Sequence, residues 1–323
     1  MWPTLGAMNE VIDYLLEGDP AIRWQVLRDL TDAPPDDVAA ERARVAAEGW
    51  GARLLAEQAG DGRWDGGTYR PGWVDESRPF FDAWTATHFS LLLLRDFGVD
   101  PQDPRVRAAI ARVREHVRWE HEGEPYFDGE TEPCINGGAL AIAAYFGEDG
   151  RAIVDTILAG QLSDGGWNCW DDDGTSRSSF HSTLCVLEGL LAWEHAGGSS
   201  GETAEHRRRG EEYLLERRLL RRLSTGGVID PRFAMPSYPT YWYYDVLRAL
   251  DYFRLARPDG DPRCAEAVEL LRTKRLPMGL WPLELTHSGP TLFEFEREGE
   301  GFPSRWVTLR ALRVLAWWDA AAG

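Results

Sequence analysis

Apolar residues recur along most of this chain at intervals of three and four, the spacing that lines one face of an α-helix. The periodicity predicts helices over 7–17, 21–31, 36–59, 80–97, 104–119, 135–147, 150–162, 179–195, 204–224, 240–256, 262–275 and 304–320, which is twelve helices or six pairs. Alternating β-branched runs bounded by hairpin turns are scarce, so the pattern implies an all-α fold.

The links between the predicted helices carry a recurring phrase. Gln58-AGD-Gly62-R-Trp64 and Gln161-LSD-Gly165-G-Trp167 share the form Q-x3-G-x-W, and Arg275-LPM-Gly279-L-Trp281 keeps the glycine and tryptophan with Arg in place of Gln. Arg222-LST-Gly226-G-Val228 and Trp119-EHE-Gly123 are weaker echoes. Self-similarity at this period marks a repeat architecture. The long polar side chain can cap a helix end, the glycine can take a left-handed turn, and the indole can pack across to the next helix pair.

The phrase resembles the QW motif of the squalene cyclase and protein prenyltransferase β-subunit superfamily. That resemblance implies an (α/α)6 toroid of alternating inner and outer helices joined by QW-type turns, and a single domain over 1–323. It places inner-helix starts near Ala21, Phe80, Ile135, Ser179, Thr240 and Ser304. The Gly/Ser/Glu stretch at 196–206 lies between two repeats and is read as a surface loop.

Composition narrows the functional classes. A formal charge of −18 disfavours nucleic acid and anionic membrane surfaces, which need basic patches. The start of the chain has no basic n-region and no long apolar h-region, so a cytoplasmic location is expected. There the four cysteines would be thiols or metal ligands, not disulfides. FSLLLL is too short to span a bilayer, leaving only peripheral membrane contact. P-loop, dinucleotide-binding, zincin and G-x-S-x-G motifs are missing, so no nucleotide cofactor is expected. Oligomeric state is not legible.

In the toroid implied by the resemblance, the inner-helix N-termini line one mouth, and polar or aromatic residues stand at each of them. Asp82, Glu132 and Asp245 are candidate acid-base groups, and Trp84, Tyr243, Tyr244, Arg305 and Trp306 candidate substrate contacts. Asp and Ser at such positions are also ordinary helix caps, and aromatic stripes are also ordinary core. Glu132-Pro-Cys134 followed by His181 is similar in placement to the Asp-x-Cys and later His that hold zinc in prenyltransferase β subunits. The resemblance therefore implies zinc on Glu132, Cys134 and His181, with a fourth position open; Cys185, four residues after His181 on the same helix face, and Cys169 in the loop are alternative ligands. The segment ahead of Cys134 is acidic, against a prenyl-diphosphate site there.

The cyclase branch of the superfamily protonates an alkene or epoxide with an Asp-x-Asp-Asp acid. Asp171-Asp172-Asp173 has Trp170 where the first Asp should stand, and reads as a solvated loop. The leading expectation is an enzyme acting on an apolar, isoprenoid-like small molecule at the inner-helix N-termini, zinc-dependent. The alternatives are a metal-free class II terpene cyclase, a glycosidase or lyase on the same fold, and a non-catalytic toroid that binds a hydrophobic ligand or partner.

Overall fold

The structure is a computed structural model and describes residues 5–74, 83–169, 177–296 and 298–321. Thirteen α-helices lie among them: α1 Leu5–Leu16, α2 Pro20–Leu30, α3 Pro35–Arg44, α4 Gly49–Ala56, α5 Thr87–Phe97, α6 Pro104–His116, α7 Pro133–Phe146, α8 Arg151–Ala159, α9 Phe180–Trp193, α10 Gly201–Glu216, α11 Val246–Ala256, α12 Ala265–Thr273 and α13 Arg305–Ala321. Strand-like pairing among the described residues is confined to isolated bridges.

Six of these helices form a closed inner ring, because α2 packs on α5, α5 on α7, α7 on α9, α9 on α11, α11 on α13, and α13 back on α2. The remaining helices, α3 apart, alternate with them along the chain as an outer layer. The fold is the expected all-α (α/α)6 toroid, with α3 as an addition. The predicted helix over 36–59 is broken into α3 and α4 at Gly49, whose φ of +63° and whose packing against the Asp19 carboxylate admit no side chain. The 196–206 stretch is half helix: Ser200 and Thr203 form a capping box that starts α10 at Gly201.

The Q-x3-G-x-W turns are built alike. The glycines Gly62, Gly165 and Gly279 all have φ between 83° and 96°. The indole N–H of each tryptophan donates to a carbonyl ten residues back, on Leu54, Ile157 and Leu271, at 2.7–2.8 Å. Each tryptophan backbone N–H donates to a threonine hydroxyl in the first turns of the next inner helix, Thr87, Thr183 or Thr308, at 2.9–3.1 Å. Each indole thus satisfies the carboxyl end of its own outer helix while the backbone beside it is tied to the following inner one. Gln58 also donates to Gly62 and to Ala109 on α6, and Gln161 to Gly165 and to His206 on α10. The third turn closes the ring, since a Cβ on Gly279 would meet Val11 on α1 at 3.0 Å. The weaker echoes are different devices. Trp119 donates to nearby Tyr126, and the turn at Gly226 carries no indole.

Candidate functional site

The inner-helix N-termini build one end of the ring. Observed starts fall at Pro20, Thr87, Pro133, Phe180, Val246 and Arg305. The largest departures are α5 and α11. Residues 238–244 form a loop before α11 and not its first turn, with Tyr241 at φ +48°. Tyr241 stacks on Trp84 at 4.3 Å and 10°, and Tyr243 lies between Trp242 and His287, with 3.8 Å to each ring. His88, His181 and His287 lie in or beside this aromatic layer. Burial, the leading cause for each, holds their pKa values at about 3, about 4 and about 3.

Zinc on Glu132, Cys134 and His181 is not supported, and the ligand set is corrected. His181 Nδ1 accepts the Tyr244 backbone N–H at 2.8 Å, and its ring packs edge-on against Phe233, Trp242 and Tyr243. Among the described residues, the potential ligand atoms that lie within 4.8 Å of one another belong to Glu132, Cys134 and Cys169, without His181. The Cys134 thiol is pushed well up by its bond to Cys169 and by burial. The residues do not fit the expected centre.

The carboxylates differ in how they are used. Asp245 is the N-cap of α11; its oxygens accept from the Arg248 N–H at 2.8 Å and from the Ser237 N–H and hydroxyl at 3.1 and 2.8 Å. Glu132 occupies the same position on α7 but makes no cap bond. Its carboxyl receives the Cys134 thiol at 3.8 Å, and it lies close enough to Tyr69 to raise that phenol. Burial, then the neighbouring Glu130, raise Glu132 above the usual carboxyl range. Asp82 and Asp171–Asp173 lie outside the described residues.

The expected substrate contacts also separate. Tyr244 is core, its hydroxyl donating to the Leu219 carbonyl. Arg305 lies over the Tyr14 ring and donates to the Tyr14 carbonyl, joining α13 to α1. Trp84 donates to the Ser288 carbonyl at 2.8 Å. Trp306 stacks on Tyr238 at 4.4 Å and, alone among the expected contacts, lines a cavity inside the ring.

That cavity, of about 400 Å³, reaches from the 238–241 loop and Trp306 in the first turn of α13 to the carboxyl-terminal turns of α2, α5 and α9. Tyr238, Tyr241 and Trp306 line it together with side chains from α2, α5, α9, α11 and α13, and its rim includes exposed His195 and half-exposed Leu255. Its wall carries seven arginines, none of which was singled out from the sequence. A signal was present: Arg28-Asp29 and Arg95-Asp96 are the same dipeptide near the ends of two inner helices, and Arg310 and Arg313 interrupt an apolar run buried on both sides.

No family model and no curated protein matches the sequence. Solved structures of similar shape include a protein from Actinoplanes, 17% identical with TM-score 0.47, covering 98% of this chain and 99% of that one. The type II terpene cyclase MstE from Scytonema, without ligand, is 17% identical with TM-score 0.46, each chain 99% covered. A variant of that cyclase in complex with its substrate geranylgeranyl dihydroxybenzoate has the same identity and TM-score, covering 98% of this chain and 97% of that one.

Proposed function

We propose that this chain is an enzyme acting on an apolar, isoprenoid-like small molecule, by protonation of an alkene in the manner of class II terpene cyclases. The observation that carries the reading is Glu132: a half-buried carboxyl at an inner-helix start, left uncommitted by capping and biased toward its protonated form. The QW-type turns favour the same superfamily. The Glu132 O–H would give its proton to one alkene carbon, leaving a cation on the other. A second double bond of the chain would close on that cation, and loss of a proton would end the reaction. The faces of Tyr69 and Trp84 would stabilise the passing positive charge, and neutral His88, His181 and His287 would add none against it.

The test is incubation with prenyl alcohols, prenyl diphosphates and prenylated phenols of three to six isoprene units, followed by mass spectrometry. A cyclised product of unchanged mass, formed about 10²–10⁴-fold more slowly by Glu132→Gln, is the expected result for a general acid. Full activity in Glu132→Gln would reject Glu132 as the acid, and no turnover of any prenyl chain would remove the reading.

A further inference from the structure

The cavity inside the ring has an electrostatic character opposite to that of the whole chain. Its seven arginines face three lining carboxylates, Asp96, Glu188 and Asp251. Asp251 serves two guanidinium groups, Arg254 at 2.9 Å and Arg310 at 3.4 Å. Asp29, behind the wall, likewise serves both Arg28 and Arg313. Among the described residues Arg42 has no carboxylate partner; it donates to the Gly98 carbonyl at 2.9 Å and the Tyr145 hydroxyl at 3.1 Å. Even with Asp29 and Asp245 included, positive charge is in excess on this wall of a protein whose formal charge is −18.

A second, independent feature concerns hydrogen bonding. Four residues that line the cavity present buried polar atoms with no partner among the described residues: Arg313 Nε, Trp306 Nε1, Tyr238 Oη and Tyr241 Oη. The first two can only donate, and both hydroxyls can. Arg313 is 8% exposed, so its unmet N–H is well removed from bulk solvent. Buried donors in native proteins are as a rule satisfied. Here they share one cavity, with guanidinium groups whose planar forks suit phosphate and carboxylate oxygens.

We propose that this cavity is a binding site for a small polyanion of the diphosphate or polycarboxylate kind, held by the excess arginines and by Arg313, Trp306, Tyr238 and Tyr241. The site does not depend on the alkene-protonation reading, and its test measures binding, not turnover. The full chain is titrated calorimetrically with inorganic diphosphate and, separately, with citrate, at two salt concentrations. One site per chain, weaker at higher salt, is expected for at least one of the two probes. Tyr238→Phe removes a single oxygen from the wall and should weaken that probe about 3–10-fold, the worth of one neutral hydrogen bond. Arg313→Gln should weaken it about 10–100-fold, as for a charged donor. If Arg313→Gln does not fold, Tyr238→Phe alone decides. A prenyl diphosphate that binds far tighter than inorganic diphosphate would show that the anion is the head of a longer ligand; equal affinity would show a free anion. No binding of any probe at millimolar concentration, or binding that Tyr238→Phe leaves unchanged, overturns the site.

Discussion

Glu132 and Asp245 hold equivalent places at the starts of α7 and α11, yet only one has its hydrogen bonds committed to a helix end. Burial and the neighbouring Glu130 push Glu132 toward its neutral form, against the Cys169 and Cys134 thiols, whose bonds to it favour the charge. The consequence for Glu132 can be measured apart from any activity. Its folded pKa lies above its unfolded value, so between the two the native state binds more protons. Stability contributed by the protonated form is full below that window and is lost as pH rises through it. In denaturant titrations across pH 4 to 8 the stability of the wild type relative to Glu132→Gln should decline as pH rises; parallel curves for the two proteins would contradict the assignment. The same carboxyl should set the alkaline limb of any turnover profile, since the acid is consumed in its protonated form.

At the level of elements, the three strong turns were legible because their device is local: a glycine that must adopt positive φ, and an indole that reaches a carbonyl at a fixed distance back in sequence. Gln161→Ala deletes bonds to two carbonyls, on Gly165 and on α10, and should cost about 1–3 kcal/mol in chemical denaturation. Arg275 makes a poorer clasp, with one bond of 3.2 Å to Gly279 and a buried Nη2 left without a partner. Arg275→Gln would exchange the unmet N–H for loss of the guanidinium's place over the Trp281 ring, 5.0 Å from its centroid, and should change stability by less than about 1 kcal/mol; a larger loss would mean the ring contact outweighs the unmet N–H. What sequence did not reveal was set by contacts between distant elements. His181 was expected beside Cys134 because both begin inner helices, but the 238–244 loop descends between the mouth and α11 and takes its Nδ1. The joint of α7 and α9 was equally hidden: a Cβ on Gly189 would sit 2.4 Å from the Gly137 carbonyl oxygen, so Gly189→Ala should destabilise by about 1–3 kcal/mol or more through overpacking. A melting temperature equal to that of the parent would refute that close approach.

For the molecule as a whole, the three buried imidazoles make acid its weak side. Their folded pKa values of about 3 to 4 lie below the unfolded histidine value, so stability is full above about pH 6.5 and falls as pH drops toward 4. Calorimetric unfolding at pH 5.5 in buffers of different ionisation enthalpy should register the uptake of nearly three protons from these groups; uptake near zero would mean they are not buried neutral. The toroid class was readable from turn repeats and helix pairing, whereas the cavity was not, because its wall draws one or two residues from each of several helices far apart in the chain. One feature of that wall joins places that are further apart still. Arg313 on α13 donates to Gln25 on α2 and pairs with Asp29, bridging 288 positions between Gln25 and Arg313. Few contacts in a chain are more costly in loop entropy, so the seam between first and last inner helices should be among the later ones to form. An anion seated among Arg28, Arg42 and Arg313 would lie across that seam. It would act as a clasp on an otherwise non-covalent hoop, linking occupancy of the cavity to whether the ring stays shut.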